Sequence, residues 1–548
     1  MVNFNRYFLV FLLLIFSSSV FGQNRYAVHF KFKPQDSYSF NSPEEFLTEK
    51  SLDRRQRQQI PLDSLDFPVS QKYLELIKPS VDFILYSTHW LNASVVTADP
   101  ENVPDLESLP FVEKVVLVAP GNFSQARLNS NIRGKGGLNV NFNISSKKNS
   151  SPYDFQNQVL GIPQMHEAGF KGKGITIAVF DAGFPGVNQI PAFSHLFEND
   201  QIVGTRDFVH VGNDDVYSKN QHGTNVLSLI AANDDELLVS GAPESNYILC
   251  ITEEVPTEYR IEEYNWVKAA EYADSLGVDI INSSLGYWDF DDPGMDYTTD
   301  DLDGETAVIT RGASIAATKG ILVVTSAGNY GTRGASSLTA PADARGILAI
   351  GAVKSDLTRA VFSSMGPTAD GRIKPDVSAF GEQVWLMRSN GVVSRGNGTS
   401  FSAPQVAALA AGLWQGRPEW TKDDLLENLI RSSHLMEEPD NMLGFGIPDF
   451  YKAYYGEILD VVTVDREGNW KVYPNPIDGT DLFISFGSNL NGQFSLIDMK
   501  GTILKKESLS RTNLEIPFVV NLPEIRNGVY FVQMQSGKEI QRTKLMKR

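Results

Sequence analysis

A serine stands at the centre of the segment Gly396-Asn-Gly-Thr-Ser-Phe-Ser-Ala-Pro404, just ahead of an apolar stretch that predicts a helix over Ser402–Gln415. Glycine and threonine before Ser400 imply a tight turn, which would leave its hydroxyl at the positively polarised end of the helix. Such a serine can cap the helix, or it can act as a nucleophile, in which case a base and an orienting acid must lie elsewhere in the chain. Three other residues fit that search. Asp181 ends the apolar run Ile175–Phe180, His222 opens an apolar helix in Gln-His-Gly-Thr-Asn, and Asn329 ends another run in Thr-Ser-Ala-Gly-Asn. Singly, each reads as a turn or helix-end residue. Together, in the order Asp, His, Asn, Ser, they supply an acid, a base, an amide donor and a nucleophile.

The elements that must position these groups follow from the apolar pattern. Ile175–Phe180 is a short continuous apolar run, a helical stretch over Tyr259–Leu276 leads into Val278–Ile281, and another over Thr306–Lys319 leads into Ile321–Thr325, with Ile347–Val353 beyond. Apolar strands alternating with amphipathic helices predict βαβ units and a parallel sheet, and an open parallel sheet collects functional groups at the carboxyl ends of its strands. This region ends near Tyr455. Before it, alternating runs at Tyr26–Phe32, Val81–Tyr86 and Val112–Val118, with a charged helix-prone segment over Pro43–Gln59, predict a small α+β unit. The stretch 121–151, rich in Asn, Ser, Gly and Lys, reads as an exposed, cleavable linker. After Val462, short alternating runs broken by Pro-Asn-Pro, Asp-Gly and Asn-Gly predict an antiparallel β-sandwich.

The bulk properties narrow the setting. A chain of 548 residues suggests about three or four domains. The net charge of -18 argues against nucleic acid as a partner, because phosphate binding needs clustered Lys and Arg. A single cysteine, Cys250, excludes an intramolecular disulfide, and in Tyr-Ile-Leu-Cys-Ile it reads as a small core hydrophobe. Arg6, the apolar run Tyr7–Phe16 and the small residues up to Gly22 predict a cleaved export signal over residues 1–22. That run is short for a bilayer span, and no later segment is long and apolar enough, so no transmembrane anchor is expected in the mature protein.

Six segments, in order, carry a family resemblance: Ile177–Gly183, His222–Thr224, Asn282–Gly286, Ser326–Asn329, Phe362–Pro367 and Gly398–Pro404. They resemble the catalytic domain of the subtilisin-like serine proteases, the subtilases. The resemblance implies a subtilisin-like, mainly parallel α/β sheet with helices on both faces over residues 146–457. It implies an Asp181, His222 and Ser400 triad with Asn329 as oxyanion donor, and an acyl-enzyme route to peptide hydrolysis. It also implies that Ser284, Leu285 and Gly286 form an edge strand for extended polypeptide substrates, with Ala327 and Gly328 flanking the pocket for the residue before the scissile bond. Ala182 and Phe380 depart from the family pattern, standing where Ser or Thr and Pro are usual, and neither position carries the reaction.

The resemblance extends outward. Residues 23–145 look like a propeptide and cleavable linker that blocks the cleft until cut. Residues 463–548 resemble the sorting domain of type IX secretion substrates, on Val472–Pro476, Leu496–Gly501, Asn527–Val532 and the basic end Lys544–Arg548. Its partner would be the type IX secretion machinery, which would carry the protein across an outer membrane to the cell surface or beyond. No cofactor is required for the chemistry. The acidic loop Asp289–Asp303 reads either as a solvated surface loop or as a structural calcium site near Asp301 and Asp303. From a different class, a catalytically silent surface-binding protein on the same fold is the alternative function.

Overall fold

The computed structural model describes residues 23–35, 38–121, 153–456 and 470–547, apart from 474, 478, 487–488, 500, 512–516 and 538. The expected export signal and all of the expected linker beyond Gly121 lie outside the described residues. Two compact units are separated after Gly456.

At the N-terminus, strands β1 (Arg25–Phe30), β2 (Phe83–Thr88), β3 (Ala93–Thr97) and β4 (Val112–Ala119) form an antiparallel sheet in the order β2-β3-β1-β4. Helices α1 (Glu49–Arg57), α2 (Gln71–Ile77) and α3 (Val103–Ser108) accompany it, which matches the expected small α+β unit. The pattern does not reveal helices α2 and α3, nor strand β3, whose Ala93-Ser-Val-Val-Thr is short and buried along almost its whole length.

The larger part of the same unit is a seven-stranded sheet. Its strands are β5 (Thr176–Asp181), β6 (Ile202–Asp207), β7 (Asn246–Ile251), β8 (Ile280–Ser283), β9 (Leu322–Ser326), β10 (Leu348–Val353) and β11 (Val377–Phe380). The order is β11-β10-β9-β8-β5-β7-β6, and every pairing is parallel. Side chains alternate between two cores, as the two-residue period of a strand requires: Ile177 and Val179 join one, Ala178 and Phe180 the other. Helices α4 (His222–Ala231) and α7 (Thr399–Gly416) pack in the first core, and α5 (Ile261–Ser275) and α6 (Val308–Thr318) in the second. Cys250 on β7 is fully buried in the second core, and burial pushes its thiol well above the ordinary range, as a core hydrophobe should be.

The second unit holds β12 (Trp470–Tyr473), β13 (Asp481–Phe486), β14 (Asn491–Asp498), β15 (Ile503–Ser510), β16 (Phe518–Asn521), β17 (Gly528–Ser536) and β18 (Glu539–Lys547). They form two antiparallel sheets, β12-β13-β16 and β15-β14-β17-β18. Leu482 and Ile484 from one sheet and Phe494, Leu496 and Val532 from the other share one core.

Candidate active site

The sheet order changes direction at β5, which lies between β7 and β8, and Asp181 is the last residue of that strand. A crevice at the carboxyl end of such a switch point is where open α/β sheets place ligands. Asp181 is fully buried. Its Oδ1 accepts the Ala182 N–H at 2.8 Å, and both oxygens lie 2.9 Å from His222 Nδ1. His222 opens α4, its backbone N–H held by Asn220 Oδ1 at 2.9 Å, and its side chain is 14% exposed. The glycine after it is obligatory: a Cβ on Gly223 would collide with the Gly183 carbonyl and come within 3.0 Å of Asp181 Cβ. The pair His-Gly thus lets the helix start press against the loop that carries the carboxylate.

Ser400 sits in the first turn of α7, which begins at Thr399, three residues earlier than the sequence pattern suggests. The Ser400 hydroxyl donates to the Ser284 carbonyl at 3.1 Å, so it does not act as a helix cap. The Phe401 ring lies 5.7 Å from that of His222. Asn329 follows β9 directly, and its Oδ1 accepts two bonds from Thr399, from N–H and from Oγ1, each at 3.0 Å. With the oxygen so held, the amide nitrogen is turned toward Gly398. A Cβ built on Gly398 would stand 3.7 Å from Ser400 N and 3.9 Å from Asn329 Nδ2. Both nitrogens therefore lie near the space that a side chain at position 398 would occupy and that glycine leaves open. Nothing in the local sequence marks Thr399 as the residue that orients the amide. Its position beside Ser400 is the single cue.

Ser284 is buried, and its hydroxyl donates to the Ser400 carbonyl at 2.9 Å. The Leu285 carbonyl accepts from Ser326 Oγ at 3.2 Å, which ties the segment 284–286 to the end of β9, next to Ala327 and Gly328. The Gly328 carbonyl accepts from Thr399 Oγ1 at 3.1 Å and from Ser364 N at 3.0 Å. Ser284, Gly328, Asn329 and Ser400 are thereby joined through hydrogen bonds around the start of α7, and the Asp181–His222 pair approaches it through the ring contact of His222 with Phe401.

Residues 172–446 match the model described as "Subtilase family". The chain belongs to that family. Residues 25–133 match the "Peptidase S8 propeptide domain, Bacteroidota", and residues 471–548 the "Secretion system C-terminal sorting domain". Among characterised subtilases, Subtilisin J of Geobacillus stearothermophilus is 30% identical over 269 residues, which is 49% of this chain and 62% of the relative. Subtilisin of Bacillus pumilus is likewise 30% identical over 269 residues and is matched over 86% of its own length. This subtilase thus spans 62% of the length of Subtilisin J and of Subtilisin amylosacchariticus. In fold it is similar to the crystal structure of an epidermin leader peptide processing serine protease from Staphylococcus aureus. The TM-score is 0.54 at 15% identity, over 79% of this chain and 99% of that one.

The acidic loop of this subtilase resolves into local hydrogen bonds. Asp289 pairs with Arg333 at 2.5 Å, Asp292 Oδ1 accepts Gly294 N at 2.9 Å, and Asp296 Oδ1 accepts Phe290 N at 2.7 Å. Asp301 Oδ2 accepts from the N–H and hydroxyl of Thr298, both at 2.7 Å, and Asp303 Oδ1 accepts from Glu305 N and Thr306 N, both at 2.8 Å. Among the described residues no group of three or more His, Cys, Asp or Glu is arranged to hold a metal. Asp301 reaches back from the end of its turn to Thr298, and Asp303 opens the next turn, so both carboxylates accept local capping bonds. Phe380, at the end of β11, packs edge-on to Phe155 at 5.2 Å, so the missing proline is replaced by an aromatic contact. No helix among the described residues is long and apolar enough to cross a membrane.

Proposed function

We propose that this chain is a secreted serine endopeptidase whose nucleophile is Ser400, with His222 as general base and acid and Asp181 as the group that fixes the imidazole. The observation that carries the reading is the two-oxygen contact of buried Asp181 with His222 Nδ1 at 2.9 Å. It holds the ring with Nδ1 protonated, which leaves Nε2 to take the serine proton. An extended substrate lying along Ser284–Gly286 brings an N–H that competes for the Ser284 carbonyl. That competition releases the Ser400 hydroxyl toward His222. Attack on the peptide carbonyl gives a tetrahedral oxyanion, for which Asn329 Nδ2 and Ser400 N are the donors. Their shared approach to Gly398 supports this role. His222 then hands the proton to the leaving amine, and water resolves the acyl-enzyme by the same route in reverse.

The flanking parts take their roles from this core. Residues 1–22 direct export, residues 23–145 restrain the peptidase domain of 146–457 until cut, and residues 463–548 pass the protein to type IX secretion machinery at the outer membrane. Labelling with a fluorophosphonate probe tests the catalytic reading. Mature wild-type protein should label and hydrolyse a mixed peptide library, and Ser400→Ala should do neither. A wild-type protein that fails to label would leave the fold as a silent surface-binding scaffold.

A further inference from the structure

The N-terminal sheet is apolar on both faces, which the two-residue period of its strands divides between two cores. Tyr26, Val28 and Val96 build a core of their own, whereas Ala27, Val95 and Val118 complete the second core of the peptidase region, beside α5 and α6. Contacts that share a core in this way are the kind that permanent subunits make. Polar groups seal the join. Buried Glu271 of α5 accepts from Trp90 N at 2.9 Å and from the Thr88 hydroxyl, and lies 2.9 Å from His89 Nδ1.

Helix α1 holds a second place. Arg54 donates to the Val278 and Lys319 carbonyls, and Gln58 donates to the Gly320 carbonyl at 2.8 Å and accepts from Lys422 N at 2.9 Å. Val278 and Gly320 stand in the turns that lead into β8 and β9, at the amino ends of those strands. Ser284 and Asn329 follow their carboxyl ends. Arg57 lies 5.9 Å from the Trp414 ring, about 20 Å along α7 from Ser400 at 1.5 Å per residue. The grip of α1 is therefore remote from the cleft.

We propose that residues 25–121 stay bound after the linker is cut and form a second chain of the active enzyme. The proposal rests on the peptidase reading above and on a cut within 121–151. Such a cut ends the restraint on the cleft but breaks none of these contacts. Departure of the N-terminal region would uncover an apolar face on α5 and α6. It would also take from Glu271 and Asp274 the donors that bury them.

The test nicks the linker of the full chain carrying Ser400→Ala with trypsin, for which Arg127, Arg133 and Lys135 are sites, and follows the fragments by size-exclusion chromatography. The N-terminal fragment should elute with the peptidase fragment at about 0.15 M and at about 1 M salt, because buried charge pairs are screened little. Arg54→Ala should weaken the association by about a hundredfold or more, seen as a separate N-terminal peak on dilution. If that variant does not fold, the more exposed Arg57→Ala should give a smaller shift in the same direction. In processed wild-type protein, the fraction that labels with a fluorophosphonate should contain both chains. An N-terminal fragment that separates on nicking, or labelling confined to protein that has lost it, would overturn the proposal. Co-elution of both fragments with no labelling of the wild type in any form would instead overturn the peptidase reading.

Discussion

Ser284 and Ser400 exchange two hydrogen bonds: the Ser284 hydroxyl donates to the Ser400 carbonyl at 2.9 Å, and the Ser400 hydroxyl donates to the Ser284 carbonyl at 3.1 Å. The first bond repairs a defect in the helix. Pro404 lies inside α7 and has no N–H, so the carbonyl four residues earlier, that of Ser400, lacks its helical partner. Ser284 supplies one from the neighbouring strand end, and in doing so locks the strand to the first turn of the helix.

Ser284→Ala should therefore cost more than a surface serine would. It leaves the Ser400 carbonyl buried without its side-chain donor, a loss of about 1–3 kcal/mol. Thermal unfolding of the inhibitor-blocked enzyme measures it, and a change indistinguishable from zero would show that the bond to Ser400 carries no weight.

Asn329→Ala should lower kcat by about 10²–10³ with little change in KM, because the amide donor acts on charge that exists only in the transition state. Gly398→Ala offers an independent approach to the same space. Its methyl would stand 3.7 Å from Ser400 N and 3.9 Å from Asn329 Nδ2, where it crowds an incoming oxygen. Steady-state kinetics should show kcat falling in both variants. Normal turnover in Gly398→Ala would remove the oxyanion role from that space.

The residues proposed to react are legible in the sequence because each sits in a short segment at the end of an element whose period is plain. Asp181 closes an apolar strand, His222 opens an apolar helix, and Asn329 follows directly on another strand. What supports them is legible only in part. Thr399, which holds the Asn329 oxygen, sits 70 residues from its partner. Thr339 lies in Ser-Leu-Thr-Ala-Pro, a segment with neither strand nor helix period, yet its side chain packs against Gly286 and Gly328 elsewhere in the chain. The acidic loop leaves two readings open, and its local bonds are not visible in its composition: Asp289 pairs with Arg333, Asp301 accepts from Thr298, and Asp303 accepts from Glu305 and Thr306.

The same limit applies to α1, which lies in the charged, helix-prone segment Pro43–Gln59, where the pattern does not show which charges are buried. Arg54 and Arg55 are 2% exposed, and both reach Asp274 of α5. Arg55 also meets Asp66 at 2.9 Å, and Lys319 meets Asp63 and Asp66 at 2.9 and 3.1 Å. Asp274 lies 220 residues from Arg54 and 219 from Arg55, beyond the reach of any local pattern. Replacing one member of such a buried group strands the others, so Arg54→Ala in the full chain carrying Ser400→Ala should lose about 3–5 kcal/mol by urea unfolding. A loss under about 1 kcal/mol, the range of an exposed pair, would contradict the burial.

His29 gives the contact between the N-terminal sheet and α5 a dependence on pH. It is buried on β1, and its Nε2 lies 2.9 Å from the Tyr264 hydroxyl. Burial, reinforced by the charges of Lys114 and Arg311, lowers its pKa from 6.5 to about 4. The folded state therefore resists a proton that the unfolded chain accepts. The stabilisation is complete above about pH 6.5 and is lost as pH falls toward 4, at up to about 1.4 kcal/mol per pH unit. Glu263 contributes the opposite slope, since burial lifts it from 4.5 to about 7 and stability falls as pH rises between those two values. Comparing His29→Asn with the parent, both carrying Ser400→Ala, cancels the Glu263 contribution. Urea unfolding from pH 4.5 to 7.5 should show the variant losing less stability on acidification. Parallel curves would mean that His29 keeps its ordinary affinity for a proton and that the acid response of this contact arises elsewhere.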